Sequence, residues 1–198
     1  MKSVLISIKP KWCKLISSKK KTVEVRKTKP KLETPFKVYI YETKMPLRWN
    51  KAHNNIIGGE GGRVIGEFVC DDICEHRAYK WREGGFEGLN YKYNSDLSRE
   101  SCVSQDELMK YSNRKPLYGW HISDLVIYDK PMELSKFYAE GDCDCMNCKK
   151  CAWFDCGNGY NVESDCNLAY KGVEMHKSYK PIIRPPQSWC YVDTEEKE

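Results

Sequence analysis

The sequence predicts an α+β fold: a small β-barrel with flanking short helices and a Cys-rich insertion. Three observations lead there. Short runs of alternating apolar and polar residues recur along the 198-residue chain. Two or three short helical stretches separate them. Six of the eleven cysteines crowd between Cys143 and Cys166. Several short strands of mixed spacing suit a compact barrel better than a parallel α/β sheet.

The elements follow in order. Val4 to Ile8 alternates and reads as a strand. Lys9-Pro10 ends it, and Pro suits the first turn of a helix. Trp12, Leu15 and Ile16 then recur at helical spacing, which places a short amphipathic helix over residues 10–18. Lys19, Lys20 and Lys21 lie at its C-terminal end, where the helix dipole favours cations. Thr22 to Arg26 alternates strictly, with Val23 and Val25 on one face and Thr22, Glu24 and Arg26 on the other. Phe36 to Thr43 and Arg63 to Cys70 are further strands, joined by a polar, Gly-rich loop over 44–62. An irregular stretch runs from about residue 75 to 100. Ser104 with Glu107 fits a capping box and starts a helix that runs to about Ser112. Gly119 to Tyr128 is a strand, Lys130 to Phe137 a turn, and Ser188 to Val192 a closing strand behind the rigid Arg184-Pro185-Pro186. The domain reading is a barrel from 1–140 plus 180–193, an insertion over 141–179 and an acidic tail over 194–198.

Composition sets the class. The chain is 40% hydrophobic and 31% charged, ordinary for a globular protein. No apolar run is long enough to span a bilayer. Pro10 and nearby lysines interrupt the apolar start, so it does not read as a signal peptide, and a cytoplasmic location is expected. Net charge is only +5, but residues 1–37 hold twelve Lys or Arg against two Glu, a local net of +10. The remainder, with 21 basic and 26 acidic residues, is at −5. That asymmetry suits a face that meets an anion such as phosphate. The plain alternative is a solvated lysine-rich surface.

Lys21-Thr22-Val23-Glu24-Val25-Arg26 carries the most chemistry. Residues two apart on one face of a strand are about 7 Å apart. Such a row lines a pocket with acid and base together. Arg26 offers a planar fork for phosphate or a base edge. Glu24 accepts from an exocyclic amine or moves a proton. Lys21 balances a phosphate or polarises a carbonyl. The plain alternative is an exposed strand with a weak Glu–Arg pair. Lys9, Trp12, Lys20 and Thr22 flank the row. In Trp120-His121-Ile122-Ser123, inward Trp120 and Ile122 leave His121 and Ser123 outward as further ligand-binding candidates. Trp12, Trp120, Trp189 and Tyr191 are stacking platforms or core residues.

The run from Leu5-Ile6-Ser7-Ile8-Lys9-Pro10 through the helix to Lys20-Lys21-Thr22-Val23-Glu24-Val25-Arg26 resembles the opening of the ASCH family of the PUA-like superfamily. RVIGEFVC over 63–70 and PPQSWCYV over 185–192 are similar to its later strands. The resemblance covers roughly 1–140 plus 180–193. It implies a PUA-like barrel with a cleft where Lys21, Glu24 and Arg26 gather, and RNA or a modified nucleobase as ligand. It also implies an alternative, an enzyme acting on RNA or nucleosides: a ribonuclease, or an amidohydrolase of an acylated base with Lys21 and Glu24 catalytic. Two positions depart from the pattern. Glu24 stands where that amidohydrolase group has threonine, and Lys19 stands where the family has Gly at the helix end.

Cys143, Cys145, Cys148, Cys151, Cys156 and Cys166 include two overlapping C-x2-C pairs. Four of the six suit a tetrahedral structural zinc, which would order a segment with little apolar content. The spacing does not match the common ferredoxin run, and disulfides are disfavoured in a reducing compartment. His176 is a weaker ligand. The zinc-stabilised insertion also offers a third function, a protein-interaction module. Gly58-Gly59-Glu60-Gly61-Gly62 lacks the Lys-Ser/Thr of a P-loop and reads as a connector.

Overall fold

The computed structural model describes residues 2–80, 87–91, 97–142 and 177–194. In order, the elements are β1 (Ser3–Ile8), α1 (Pro10–Ser17), β2 (Val23–Arg26), β3 (Phe36–Glu42), β4 (Arg48–Asn50) and β5 (Asn55–Ile57). Then come β6 (Arg63–Cys70), β7 (Ile73–Lys80), β8 (Glu87–Tyr91), α2 (Leu97–Ser101) and α3 (Gln105–Ser112). The last are β9 (Leu117–His121), β10 (Ser123–Met132), β11 (Tyr138–Asp142), β12 (Lys177–Pro181) and β13 (Trp189–Val192). The six clustered cysteines, His176 and most of the expected insertion lie outside the described residues.

Two sheets make the body. One is five-stranded, in the order β10-β6-β3-β1-β13, with β1 and β3 parallel and the other pairs antiparallel. The other is antiparallel, in the order β2-β9-β7-β8. They join at one corner, because β6 runs on into β7 and β9 into β10, and the His121 amide donates to the Asp72 carbonyl there at 3.0 Å. At the opposite side the expected barrel closure is not found: among the described residues no ladder joins β2 to β1 or β13. The fold is mostly strand with few helices, as expected, but its two sheets meet there through side chains.

Burial explains the strands. Val4, Ile6 and Ile8 of β1 join Val38, Ile40, Phe68 and Trp120 in one core. Leu5 on the other face joins Tyr39, Val64, Phe137 and Val192 in a second. With both faces covered, all six residues of β1 are buried. A third core places Val23 and Val25 of β2 under Leu97 of α2 and Leu108 of α3. The expected capping box is present: Ser104 accepts from the Glu107 amide, and the Glu107 side chain accepts from the Ser104 amide. Lys19 ends the turn after α1 at φ 58°, a left-handed conformation that glycine would adopt at about 1 kcal/mol lower cost. No helix among the described residues is long and apolar enough to cross a membrane.

Candidate functional site

Lys21, Glu24 and Arg26 come together at the open side between the sheets. Lys21 Nζ is 3.2 Å from Glu24 Oε2, and Arg26 Nη2 is 3.0 Å from Glu24 Oε1. The three side chains are buried, only 2%, 7% and 9% exposed, which sets aside the plain alternative of an exposed strand. The reason lies in the layers. Val23 and Val25 turn towards the helices, while Glu24 and Arg26 turn towards the interior between the sheets. Glu24 pairs across the ladder with Trp120, which is completely buried.

Burying these charges has a large desolvation cost, so their partners decide whether they are tolerated. Lys21 Nζ also donates to the Ser101 carbonyl at 2.8 Å, and Arg26 Nη2 to the Ser7 carbonyl at 2.6 Å. Arg26 Nη1 reaches Ser188 Oγ at 3.5 Å, the weak limit of a hydrogen bond. Arg26 Nε, Ser101 Oγ and Trp120 Nε1 are buried without a partner among the described residues. Each such atom costs about 1–3 kcal/mol. Two cations around one carboxylate leave a formal +1 inside the protein. The exposed pairs Lys2–Glu140 and Arg63–Glu133 are different in kind, worth at most about 1 kcal/mol each.

The rim is basic and aromatic. Lys21 Nζ lies 5.3 Å from the centre of the half-buried Trp12 ring, and Lys11 Nζ lies 4.0 Å from the same centre. Lys9, Lys20 and Thr22, which flank these residues in the sequence, are exposed. Trp120 packs on Trp189 with centroids 5.9 Å apart, and Trp189 on Tyr191 at 5.4 Å. The segment after β2 adds a rim that the sequence reading passed over. Lys27 sits over Tyr111 and Lys29 over Tyr118, at 4.7 and 5.6 Å. The Lys31 amide donates to Tyr191 Oη at 2.7 Å, and Trp189 Nε1 to Thr28 Oγ1 at 3.0 Å. The alternation of lysines at 27, 29 and 31 was the available signal.

His121 and Ser123 are not part of this cluster. His121 pairs with Val23 in the ladder, so it shares the opposite face of the sheet. Its Nδ1 is 2.6 Å from Asp71 Oδ1. Burial works against the Asp71 carboxylate, but hydrogen bonds with His121, its own backbone amide and Ser123 act together against it and lower its pKa. Ser123 Oγ donates to the Val69 carbonyl. A cleft of about 340 Å³ opens on that same face, with Asp72, Cys74, His76, Glu100 and His121 among its lining. Burial lowers the His76 pKa, which keeps its imidazole neutral. No group of three or more His, Cys, Asp or Glu among the described residues is placed to hold a metal.

No protein-family model and no curated protein matches the chain. Solved structures do. The chain is similar to the crystal structure of ASCH from Zymomonas mobilis, at 17% identity and a TM-score of 0.50, over 96% of this chain and 87% of that one. A serine-to-alanine variant of the same protein matches at 17% identity and a TM-score of 0.51, over 96% and 88%. At this identity the likeness establishes the fold: the chain folds as an ASCH domain does.

Proposed function

From a chain with the fold of an ASCH domain, we propose a binding function: it holds RNA or a modified nucleobase at the Lys21–Glu24–Arg26 cluster. One observation carries the reading. The cluster is buried, holds a formal +1, and keeps the Arg26 Nε–H without an acceptor among the described residues. A phosphate or a base carbonyl supplies both the negative charge and the acceptor. Glu24 then stands ready to accept from an exocyclic amine, and Trp12 offers a ring face for stacking. The exposed lysines at 9, 11 and 20, with those at 27, 29 and 31, would hold the backbone of a longer strand.

Hydrolysis is the second reading, with Lys21 and Glu24 as catalytic residues in a ribonuclease or an amidohydrolase. It is favoured by the 3.2 Å approach of Lys21 Nζ to Glu24 Oε2, within reach of a short proton transfer. One experiment separates the two. The protein is incubated with pooled RNA and acylated nucleosides, and products are read by mass spectrometry, with Glu24→Gln alongside. Retention of RNA at low salt without product supports binding. Product that disappears in a folded Glu24→Gln protein overturns it in favour of catalysis.

The zinc reading belongs to this proposal as well. Four of the six clustered cysteines would hold one structural zinc and order the insertion, with a protein-interaction role as the alternative use of that segment.

A further inference from the structure

The stretch between β3 and β6, expected as a flexible connector, contains the β4–β5 hairpin. Trp49 pairs across it with Ile56, and Arg48 with Ile57. By strand alternation Leu47 and Trp49 share one face with Ile56, while Arg48 and Asn50 share the other. The apolar face is uncovered: Leu47, Trp49 and Ile56 are 68%, 58% and 63% exposed. Three large apolar side chains facing water on one short ribbon mark a contact surface.

The ribbon is also held at its base. The Met45 amide donates to the Glu60 carbonyl, the Gly59 amide to the Met45 carbonyl, and the Gly62 amide to the Glu42 carbonyl, each at 2.8 Å. Gly58 has φ 104°, and a Cβ there would lie 2.3 Å from the Pro46 carbonyl oxygen, so only glycine fits. The three-residue strands β4 and β5 carry the tip about 10 Å further out.

Charge and position say what covers it. Residues 44–59 hold Lys44, Arg48 and Lys51 and no acidic residue. The Thr43 amide donates to the Ile8 carbonyl at 2.9 Å, so the ribbon starts beside Lys9, at the rim of the site. We propose that this hairpin is an RNA-binding arm: Trp49 stacks on an unpaired base, and Arg48 and Lys51 contact the phosphates of the same single strand. An exposed tryptophan beside cations is the usual platform for single-stranded nucleic acid. The arm deepens the RNA reading of the neighbouring site and rests on it for the choice of ligand.

The test is fluorescence anisotropy of the full chain with a labelled twelve-nucleotide single-stranded RNA, comparing Trp49→Ala, Arg48→Ala/Lys51→Ala and Lys9→Ala/Lys11→Ala. These residues are exposed, so circular dichroism should be unchanged. The proposal expects about a tenfold or greater loss of affinity in Trp49→Ala. It also expects a shallower salt dependence in Arg48→Ala/Lys51→Ala. Unchanged RNA affinity in both arm variants overturns the arm, whatever the Lys9→Ala/Lys11→Ala protein does. Loss in the arm variants with none in Lys9→Ala/Lys11→Ala keeps the arm and sinks the reading of the neighbouring site. Trp49-dependent binding to phosphatidylserine vesicles with unchanged RNA affinity assigns the arm to a membrane surface instead.

Discussion

Arg26 Nη2 donates to the carbonyl oxygen of Ser7 at 2.6 Å, linking two sheets at the side where no strand ladder joins them. The same guanidinium pairs with Glu24 and reaches Ser188 on the segment entering β13. One planar, many-donor side chain is thus used as a staple. Lysine is a point charge on a flexible stem and cannot reproduce that fork. Arg26→Lys should therefore lower stability by about 3 kcal/mol, towards the range for breaking a buried ion pair. Urea denaturation checks this, and a change under 0.5 kcal/mol would show that the fork is dispensable.

Lys21 and Glu24 should be energetically coupled. Removing Glu24 leaves two buried cations, and removing Lys21 leaves the Glu24–Arg26 pair with a lost partner at Ser101. Glu24→Gln alone should cost about 3–5 kcal/mol. The double variant Lys21→Met/Glu24→Gln should be more stable than the sum of the single losses predicts, by about 1–3 kcal/mol. A double-mutant cycle from denaturation midpoints measures that difference. Additive losses would mean that the two side chains act independently.

Stability should fall with acidity in two stages. Burial lowers the pKa of His76 from its ordinary 6.5, so the unfolded chain takes up that proton first. Stability is then lost as pH falls below about 6.5. Burial also acts on Glu67, but hydrogen bonds with Lys37 and Tyr128 outweigh it and lower its pKa from 4.5. Its contribution is present above about 4.5 and lost as pH falls through the folded value. Urea midpoints from pH 8 to pH 3 should show both steps, and Glu67→Gln should shrink only the second, to which Asp71 also contributes below about 3.8. A flat profile between pH 7 and pH 5 would contradict the role given to His76.

Metal content tests the cysteine cluster. The purified chain should carry about one zinc by elemental analysis. Chelation should expose additional thiols to alkylation. Cys13 and Cys70 should stay unmodified in the folded protein either way, because burial hides them and pushes their thiols up to about 12. Metal-free protein with the cluster thiols fully reactive would remove zinc from the account.

The legible parts of the sequence were those where local pattern and tertiary demand agree. β1, α1, β3, β6 and α3 lie within a residue or two of expectation, since an apolar pattern, Pro10 or the Ser104 cap marks each one. The hairpin at β4–β5 was missed because Gly58 and Gly59 read as flexibility, whereas their positive φ fixes its base. β7 was read as irregular because Glu75, His76 and Arg77 mask the alternation of a strand that is paired on both sides. The strand expected over Gly119–Tyr128 is two strands, β9 and β10, in different sheets with the corner at Ile122. At the site, Lys21, Glu24 and Arg26 were identified by residue type and spacing. Their burial was not legible, because it depends on Ser7, Ser101 and Trp120, which are distant in sequence.

The measurement closest to the central claim is the salt dependence of RNA binding. Affinity for a twelve-nucleotide single strand is followed from low to physiological potassium chloride, for the native chain and for Lys9→Ala/Lys11→Ala/Lys20→Ala. If a strand enters the Lys21–Glu24–Arg26 site across this rim, the log–log slope should become shallower by about 2, from roughly 0.7 per phosphate contact. Identical slopes in the two proteins, or no binding by the native chain at low salt, would contradict the account.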